Sequence, residues 1–462
     1  MSLSKEVIQA LAEITGKDGM RVDPVDMSVY AYDATTRWRG MPEAVVFPTQ
    51  VDQISAIMAL ANAHIIPVTV RGAGTSLSGG PVPTAGGIVM CMTRMNRILN
   101  IDTDNFTVTA EVGVVLNDLN MALAKHNLFF PPDPQSFLAA TLGGCLSEGA
   151  GGPYAVKYGL FKHYILGMTV VLASGDILKL GGNTMKNVTG YDLPQLLCGA
   201  EGTLAVIADA TFRLLVAPQA KQTVMAIFDD VTQAGKAVHR VRSAGVLPAK
   251  IEMIDNWVIR RIEEHTPLGL PLSAAAILLF QMDGMAPAVE KETDQVIELC
   301  RKTGAAEVRP AKDATEAQNF WTARSFGFSA VFGSAPTLIS EDVVVPTSRI
   351  ADLIQCIKAL ERTHDLTIVL LGHAGDGNLH PCILTDMDDA DHYERAQMAS
   401  NAIFDAALAF GGAISGEHGI GLEKQQILKK AMPAQGIDLL KQIKRAFDPK
   451  GILNPGKIWE AS

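Results

Sequence analysis

The chain has 462 residues, 48% of them hydrophobic, and its 39 basic and 49 acidic residues leave a net charge of −10. That length implies two or three domains, and the lack of a long basic run argues against a nucleic-acid surface. An anionic substrate would need a local cluster of positive charge. The N-terminal MSLSKEVIQALAEITGKDG mixes charges with apolar residues at helical spacing, unlike a secretory signal. Apolar runs such as LTIVLLG fall far short of the roughly 18 residues a membrane span needs. The scattered cysteines Cys91, Cys145, Cys198, Cys300, Cys356 and Cys382 form no C-x-x-C pair, so reduced thiols and a cytoplasmic protein are expected.

In chain order, residues 1 to about 36 read as a helix and a loop, EAVVFP as a strand, and Val51–His64 as a helix with its apolar face at Ile54, Ile57, Met58 and Leu60–Ala61. Strand Ile65–Val70 runs into the loop RGAGTSLSGG. Gly86–Met92 and Phe106–Val115 are strand-like, and Val115–His126 is a helix candidate. Residues 130–160, dense in Gly, Pro and small side chains, read as a long loop with a purpose. Strands are expected at Gly167–Ala173, Ile177–Leu180 and within Thr203–Val216. After Pro218 the texture changes to strands separated by amphipathic helices at Val231–Ala244, Ala288–Thr303, Ala314–Val331 and Arg349–His364. Asp391–Phe410 and Gln425–Ala446 read as helices, and no internal repeat is visible.

RGAGTSLSGG follows strand PVTV, and its glycines would let the backbone approach a phosphate. It runs into GGPVPTAGG rather than a helix, which excludes a dinucleotide loop of the Rossmann kind, and it lacks the Gly-Lys-Ser/Thr of a Walker loop. Taken alone, it also fits a plain turn. Two further Gly-rich stretches follow, PPDPQSFLAATLGGCLSEGAGGPYAVKYG at 131–159 and NVTGYDLPQLLCGAEGTLAVI at 187–207.

With these three motifs in this order, the sequence resembles the FAD-linked oxidases with a p-cresol-methylhydroxylase-type flavin domain. The branch it is most similar to holds D-lactate dehydrogenase, D-2-hydroxyglutarate dehydrogenase and the D-subunit of glycolate oxidase. The resemblance spans about residues 40 to 459 and implies an α+β fold. A two-subdomain FAD-binding domain would occupy 1–217 (motif core about 38–217), and an α+β cap or substrate domain 218–410. A C-terminal segment, 411–462, would return to the flavin. It further implies noncovalent FAD, with Arg71, Gly72, Ala73, Gly74, Thr75, Ser76 and Leu77 around the pyrophosphate. Pro132, Asp133, Thr141, Gly144, Ser147, Gly149 and Gly151 would line the isoalloxazine and ribityl side, Glu201, Gly202 and Ile207 the adenosine end, and Asn454 would come back near the flavin.

GHAGDGNLHP, 372–381, carries the sharpest chemistry. Asp376-Gly377 is a favoured two-residue hairpin turn, and counting outward from it sets Gly375 opposite Asn378, Ala374 opposite Leu379 and His373 opposite His380. Two imidazoles so placed could share a metal ion or simply pack. SGEHGIGLEK, 415–424, presents Glu417 and His418 in a tight turn. The resemblance makes His373, His380 and Glu417 metal ligands and His418 the catalytic base. The two nitrogens and one oxygen suit zinc, with manganese or iron(II) as alternatives. The other seven histidines, His64, His126, His163, His239, His265, His364 and His392, read as surface or core residues.

FWTARSFGFSA, 320–330, resembles the family's W-x-x-R segment, whose arginine binds the substrate carboxylate; here it is Arg324, which otherwise would be an exposed helix-face residue. Asn378 joins the substrate side. The 2-hydroxyglutarate branch has Thr and Lys where this chain has Phe328 and Ser340, the latter two residues before Asp342, which favours a monocarboxylate such as D-lactate unless another cation, Lys312 for one, replaces the Lys. The implied reaction oxidises a D-2-hydroxy acid to the 2-keto acid, with hydride passing to flavin N5 and electrons to a separate acceptor: an electron-transfer flavoprotein, a quinone, a cytochrome or an iron–sulfur subunit. D-2-hydroxyglutarate dehydrogenase and a glycolate oxidase catalytic subunit are the alternatives, and a non-catalytic FAD-binding subunit the distant one. A homodimer and peripheral association with a membrane acceptor are left open.

Overall fold

The computed structural model describes residues 3–35 and 37–460. The chain forms two compact units: residues 1–151, 160–217 and 417–462 make up unit 1, and residues 152–159 and 218–416 unit 2. The C-terminal segment thus belongs mostly to unit 1, while the short stretch 152–159 belongs to unit 2.

The strands of unit 1 are, in chain order, β1 (Met20–Arg21), β2 (Ala44–Val46), β3 (Val68–Arg71), β4 (Ile88–Cys91), β5 (Ile98–Asp102), β6 (Thr107–Glu111), β7 (Leu128–Phe129), β8 (Ile165–Val171), β9 (Ile177–Gly181), β10 (Val206–Arg213) and β11 (Leu215–Val216). One sheet has the order β1-β2-β4-β3, the other β5-β6-β10-β8-β9, and β7 pairs with β11. In the first sheet β2, β4 and β3 are parallel. Parallel strands need a crossover, and the helix Val51–His64 supplies the one from β2 to β3, which flank β4; it buries Ile54, Ile57, Met58 and Ala61, one face at helical spacing. The second sheet is antiparallel. Near the end of the chain, Leu453 bridges Val68 in parallel and the Asn454 amide donates to the Val68 carbonyl, so the C-terminal segment extends along β3.

Unit 2 adds β12 (Ala220–Phe228), β13 (Lys250–Asp255), β14 (Ala276–Gly284), β15 (Glu307–Pro310), β16 (Thr337–Ser340), β17 (Val343–Val344), β18 (Thr367–His373) and β19 (Asn378–Thr385). They form one sheet ordered β15-β12-β14-β13-β18-β19-β16, with β17 also on β19. One face carries Met225, Ile254, Ile277, Leu279, Val369, Leu371 and Cys382 in a buried cluster with Val258, Ile259 and Ile262 of the helix Asn256–His265 and Phe320, Ala323 and Val331 of the helix Ala314–Val331.

Three expectations are corrected. Residues 130–160 are not all loop: Leu142–Glu148 is a helix, capped by Thr141, whose hydroxyl accepts from the Gly144 amide, and Ala155–Tyr158 makes a further turn. The helix expected over Gln425–Ala446 is two, Gln425–Ala431 and Ala434–Phe447, because Pro433 between them has no N–H to continue the ladder. The hairpin joining β18 and β19 is longer than two residues. Ala374–Asp376 form a tight 3-10 turn, closed by Gly377 at φ +87°. A Cβ there would stand 1.9 Å from the Val345 carbonyl oxygen, so only glycine fits. The register is therefore His373 opposite Asn378 and Leu371 opposite His380, not His373 opposite His380.

Candidate active site

Period-2 alternation puts every second residue of a strand on one face. On β18 that row is Val369, Leu371, His373, and on β19 it is Cys382, His380, Asn378. The apolar cluster therefore passes into a polar patch at the end of the strands. Met253 pairs with Gly372 and Ile254 with Leu371; one step further, Glu252 comes opposite His373. Both carboxylate oxygens of Glu252 lie 2.9 Å from His373 Nδ1. The rings of His373 and His380, both buried, are 5.2 Å apart and nearly perpendicular.

The helix Ala314–Val331 buries Phe320, Ala323, Arg324, Gly327 and Val331, one helical face. Arg324 is thus a buried residue, 3% exposed, and its Nε lies 2.6 Å from Glu252 Oε2. Burial opposes the Glu252 charge, but His373 and Arg324 beside it hold its carboxyl below the ordinary carboxylate value. On the other side of β19, buried Asp342 accepts from Asn378 Nδ2 at 2.7 Å, from Ser415 Oγ at 2.7 Å and from the Gly416 amide at 2.8 Å. Asp342 can only accept, so it fixes the Asn378 amide with the oxygen turned the other way. That Oδ1 is buried and has no hydrogen-bond partner among the described residues. Phe328 packs against the apolar cluster and beside Phe332, and the Ser340 hydroxyl meets the Cys382 thiol at 3.4 Å. Lys312 is exposed and lies 4.0 Å from Glu316.

In unit 1 the loop after β3 is held from below. The Arg71 guanidinium donates to the carbonyls of Tyr32, at 2.8 Å, and Val29, at 3.4 Å, so it ties the start of the loop to the N-terminal segment. The amides of residues 73–77 have no acceptor among the described residues, which leaves a run of main-chain donors. Gly72 runs so close to the cap of the next motif that a Cβ would meet Thr141 Oγ1 at 2.3 Å. A cavity of about 210 Å³ is lined by Ala73, Asn96, Gly113, Asp118 and Thr141, among others. Pro132 is buried and Asp133 half-buried in the loop before that helix. The Glu201 amide donates to the Ser147 carbonyl, Gly149 ends the helix in the left-handed region, and Ile207 is buried in β10. Asn454 Nδ2 donates to the carbonyls of Gly80 and Glu201, at 3.0 and 2.7 Å, while its Oδ1 is buried with no hydrogen-bond partner among the described residues. Open amides, a cleft and glycines at close approach fit the pyrophosphate and ring edge of a flavin nucleotide.

Glu417 and His418 lie in a segment without helix or extended strand. His418 Nε2 is 4.0 Å from Glu417 Oε1, too far for a hydrogen bond. A side chain on Gly151 would stand 3.0 Å from the Glu417 carboxylate. The segment is anchored by Glu201, whose two carboxylate oxygens accept from the amides of Ile420 and Gly421, each at 2.7 Å. Glu148, unremarked in the sequence, accepts from Ser76 Oγ at 3.0 Å, and burial together with nearby Glu201 raises its carboxyl well above the usual range. Glu252 was equally unremarked, although an acid inside KIEMID, where Ile251, Met253 and Ile254 are all buried, is a signal that a partner must exist.

Residues 42–181 match the profile of an FAD binding domain, and residues 217–458 that of the C-terminal domain of FAD linked oxidases. The solved structure of p-cresol methylhydroxylase with substrate bound superposes with a TM-score of 0.81 at 18% identity, over 98% of this chain and 96% of its own. Fold and flavin domain define an FAD-dependent oxidoreductase. The glycolate oxidase subunit GlcD of Bacillus subtilis (strain 168) is 39% identical over 457 residues, 99% of this chain and 97% of its own. The D-lactate dehydrogenase of Anaerostipes hadrus is 33% identical over 470 residues, covering 99% and 98% respectively. The chain belongs to the FAD-linked oxidase family. Among the described residues no helix is long and apolar enough to cross a membrane.

Proposed function

We propose that this protein oxidises a D-2-hydroxy acid to the 2-keto acid, with noncovalently held FAD, one divalent metal ion and a separate electron acceptor. The observation that carries this is the buried His373–His380 pair with Arg324 tied to the same carboxylate, Glu252, in a chain with a flavin domain. His373, His380 and Glu417 would hold the metal, zinc by the chemistry of two nitrogens and one oxygen. A divalent cation there lowers the pKa of a hydroxyl beside it. Arg324 receives the substrate carboxylate in its planar fork, and Asn378 Oδ1 offers an acceptor beside the histidines. His418 takes the 2-hydroxyl proton. As the carbonyl forms, the C2 hydrogen would leave with its bonding pair as hydride, and FAD, when bound, would supply the two-electron acceptor for it. Both relatives named above act, by their names, on hydroxy acids with one carboxylate, and a glycolate oxidase subunit works within an assembly, which supports an electron-accepting partner chain.

D-lactate and its small homologues are favoured because Phe328 and Ser340 bring no positive charge, and Lys312 is exposed beside Glu316. A second reading, D-2-hydroxyglutarate, is favoured by one residue. Lys250 shares the face of β13 with Glu252 and lies 3.8 Å from the centre of the Tyr154 ring and 5.2 Å from that of Trp321, one helical turn before Arg324. The test is anaerobic flavin bleaching by glycolate, D-lactate, D-2-hydroxybutyrate and D-2-hydroxyglutarate. The monocarboxylates should win by at least about tenfold in kcat/KM, equivalent to about 1.4 kcal/mol. Fastest bleaching by D-2-hydroxyglutarate would move the assignment to the second reading, and no bleaching by any of them would end both.

A further inference from the structure

We propose that Glu252 is the positioning residue of this site, its single carboxylate fixing both the coordinating nitrogen of His373 and the aim of Arg324. The assignment rests on His373 and His380 being metal ligands. Glu252 is fully buried in mid-strand, flanked by buried Ile251 and Met253. A charge in that position is costly unless it is compensated. Its compensation comes from two directions: His373 across the ladder on β18, and Arg324 from the helix covering the sheet.

The carboxylate can only accept, so the proton between the two groups belongs to His373 Nδ1. That selects one neutral tautomer and makes Nε2 the nitrogen with a lone pair to give. A metal-bound histidine is oriented, and made more basic, by such a carboxylate on its other nitrogen. On Arg324, the close ion pair at Nε sets the guanidinium against Glu252, which leaves the outer nitrogens as the fork that takes a carboxylate. A cation on His373 and the Arg324 guanidinium would repel each other, and the Glu252 charge in contact with both groups offsets that repulsion. An ordinary ion pair with Arg324 would leave His373 untouched; a plain histidine brace would not reach Arg324.

The test uses full-length, FAD-loaded protein stripped of metal, as wild type, Glu252→Asp and Glu252→Gln. Glu252→Gln removes the charge and is the harsher change; Glu252→Asp keeps it, withdraws the carboxylate by one methylene, and carries the test alone if the amide variant does not fold. Affinity for Zn²⁺ and for Mn²⁺ is measured by equilibrium dialysis, and KM for D-lactate at saturating metal by anaerobic flavin reduction. The metal Kd should rise by about 10- to 100-fold and the KM should rise as well, with flavin content unchanged. A purely structural role would lower the melting temperature and leave both constants alone. Either constant staying within about twofold of wild type in a folded variant overturns the proposal. Wild-type protein that takes up neither metal would instead overturn the metal reading on which it stands, so the two failures are told apart.

Discussion

The chain two and three residues after His418 is pinned to Glu201 through the Ile420 and Gly421 amides. That anchor does not use the His418 ring, so replacing the imidazole should leave the segment in place. His418→Asn should keep FAD and metal while flavin reduction slows by roughly 10²–10⁴-fold, the usual share of a general base. Stopped-flow reduction with D-lactate reads this directly, and a variant reducing at the wild-type rate removes His418 from the chemistry. At this scale the sequence singles out candidates where they lie close together: His373 and His380 are seven residues apart, and Glu417 adjoins His418. Glu252 stands 121 residues before His373, and only the strand register joins them. The two carboxylates Glu148 and Glu201 were separated in the same way, and the part of Glu201 in anchoring the segment after His418 could not be read from its motif.

The register of β18 and β19 shows what a short-range signal can miss. Asp376-Gly377 reads as a two-residue hairpin, yet the turn spans four residues because Gly377 is wedged against the Val345 carbonyl, a contact from outside the hairpin. Both histidines still share one face, since the shift moved the pairing by two residues and not by one. Helix bounds were legible where an apolar stripe was continuous, as in Val51–His64 and Ala314–Val331, and lost where glycine density hid a short capped helix at Leu142–Glu148. Element junctions also set a pH dependence. Asp255 ends β13 and caps the helix Asn256–His265, accepting from the amides of Val258, at 3.1 Å, and of Leu370 on β18, at 2.8 Å. Burial pushes its carboxyl from 3.8 up to about 6, with Lys358 opposing and Glu361 adding to the rise. The folded form therefore binds this proton more tightly than the unfolded one. The associated stability is full below pH 3.8 and is lost as pH climbs through about 6. The whole interval is worth about 3 kcal/mol. Asp255→Asn carries no such proton, so the stability difference between wild type and variant should move in the variant's favour by up to about that amount between pH 4 and pH 7. Urea unfolding across the range checks it; a difference independent of pH would mean that Asp255 ionises normally.

Across the whole molecule, the division into two units makes the flavin and the proposed metal ion separable by experiment. The residues assigned to FAD, from the loop 71–77 through Thr141 and Glu201 to Asn454, all lie in unit 1, whereas His373 and His380 lie in unit 2. The change of texture after Pro218 falls where the long segment of unit 2, residues 218–416, begins. The return of the chain end to β3 has no local signal, because Asn454 reaches Gly80 across 374 residues and Glu201 across 253, and no local pattern encodes such a pairing. Glu417 opens the last part of unit 1 and follows directly on Gly416, which Asp342 holds in unit 2. A chelator should consequently strip the metal without releasing the flavin. After treatment with EDTA or dipicolinate the protein should stay yellow, with its flavin absorbance moving with the protein on gel filtration. Bleaching by D-lactate should fall to a small residue and return on adding Zn²⁺ or Mn²⁺. The variants His373→Ala and His380→Ala should match the chelated protein and, unlike it, should not recover with added metal, because each lacks one of the three proposed protein ligands. If protein shown by elemental analysis to be metal-free still turns over D-lactate at the full rate, the pair of histidines serves packing, and the acidity of the 2-hydroxyl must come from protein groups alone.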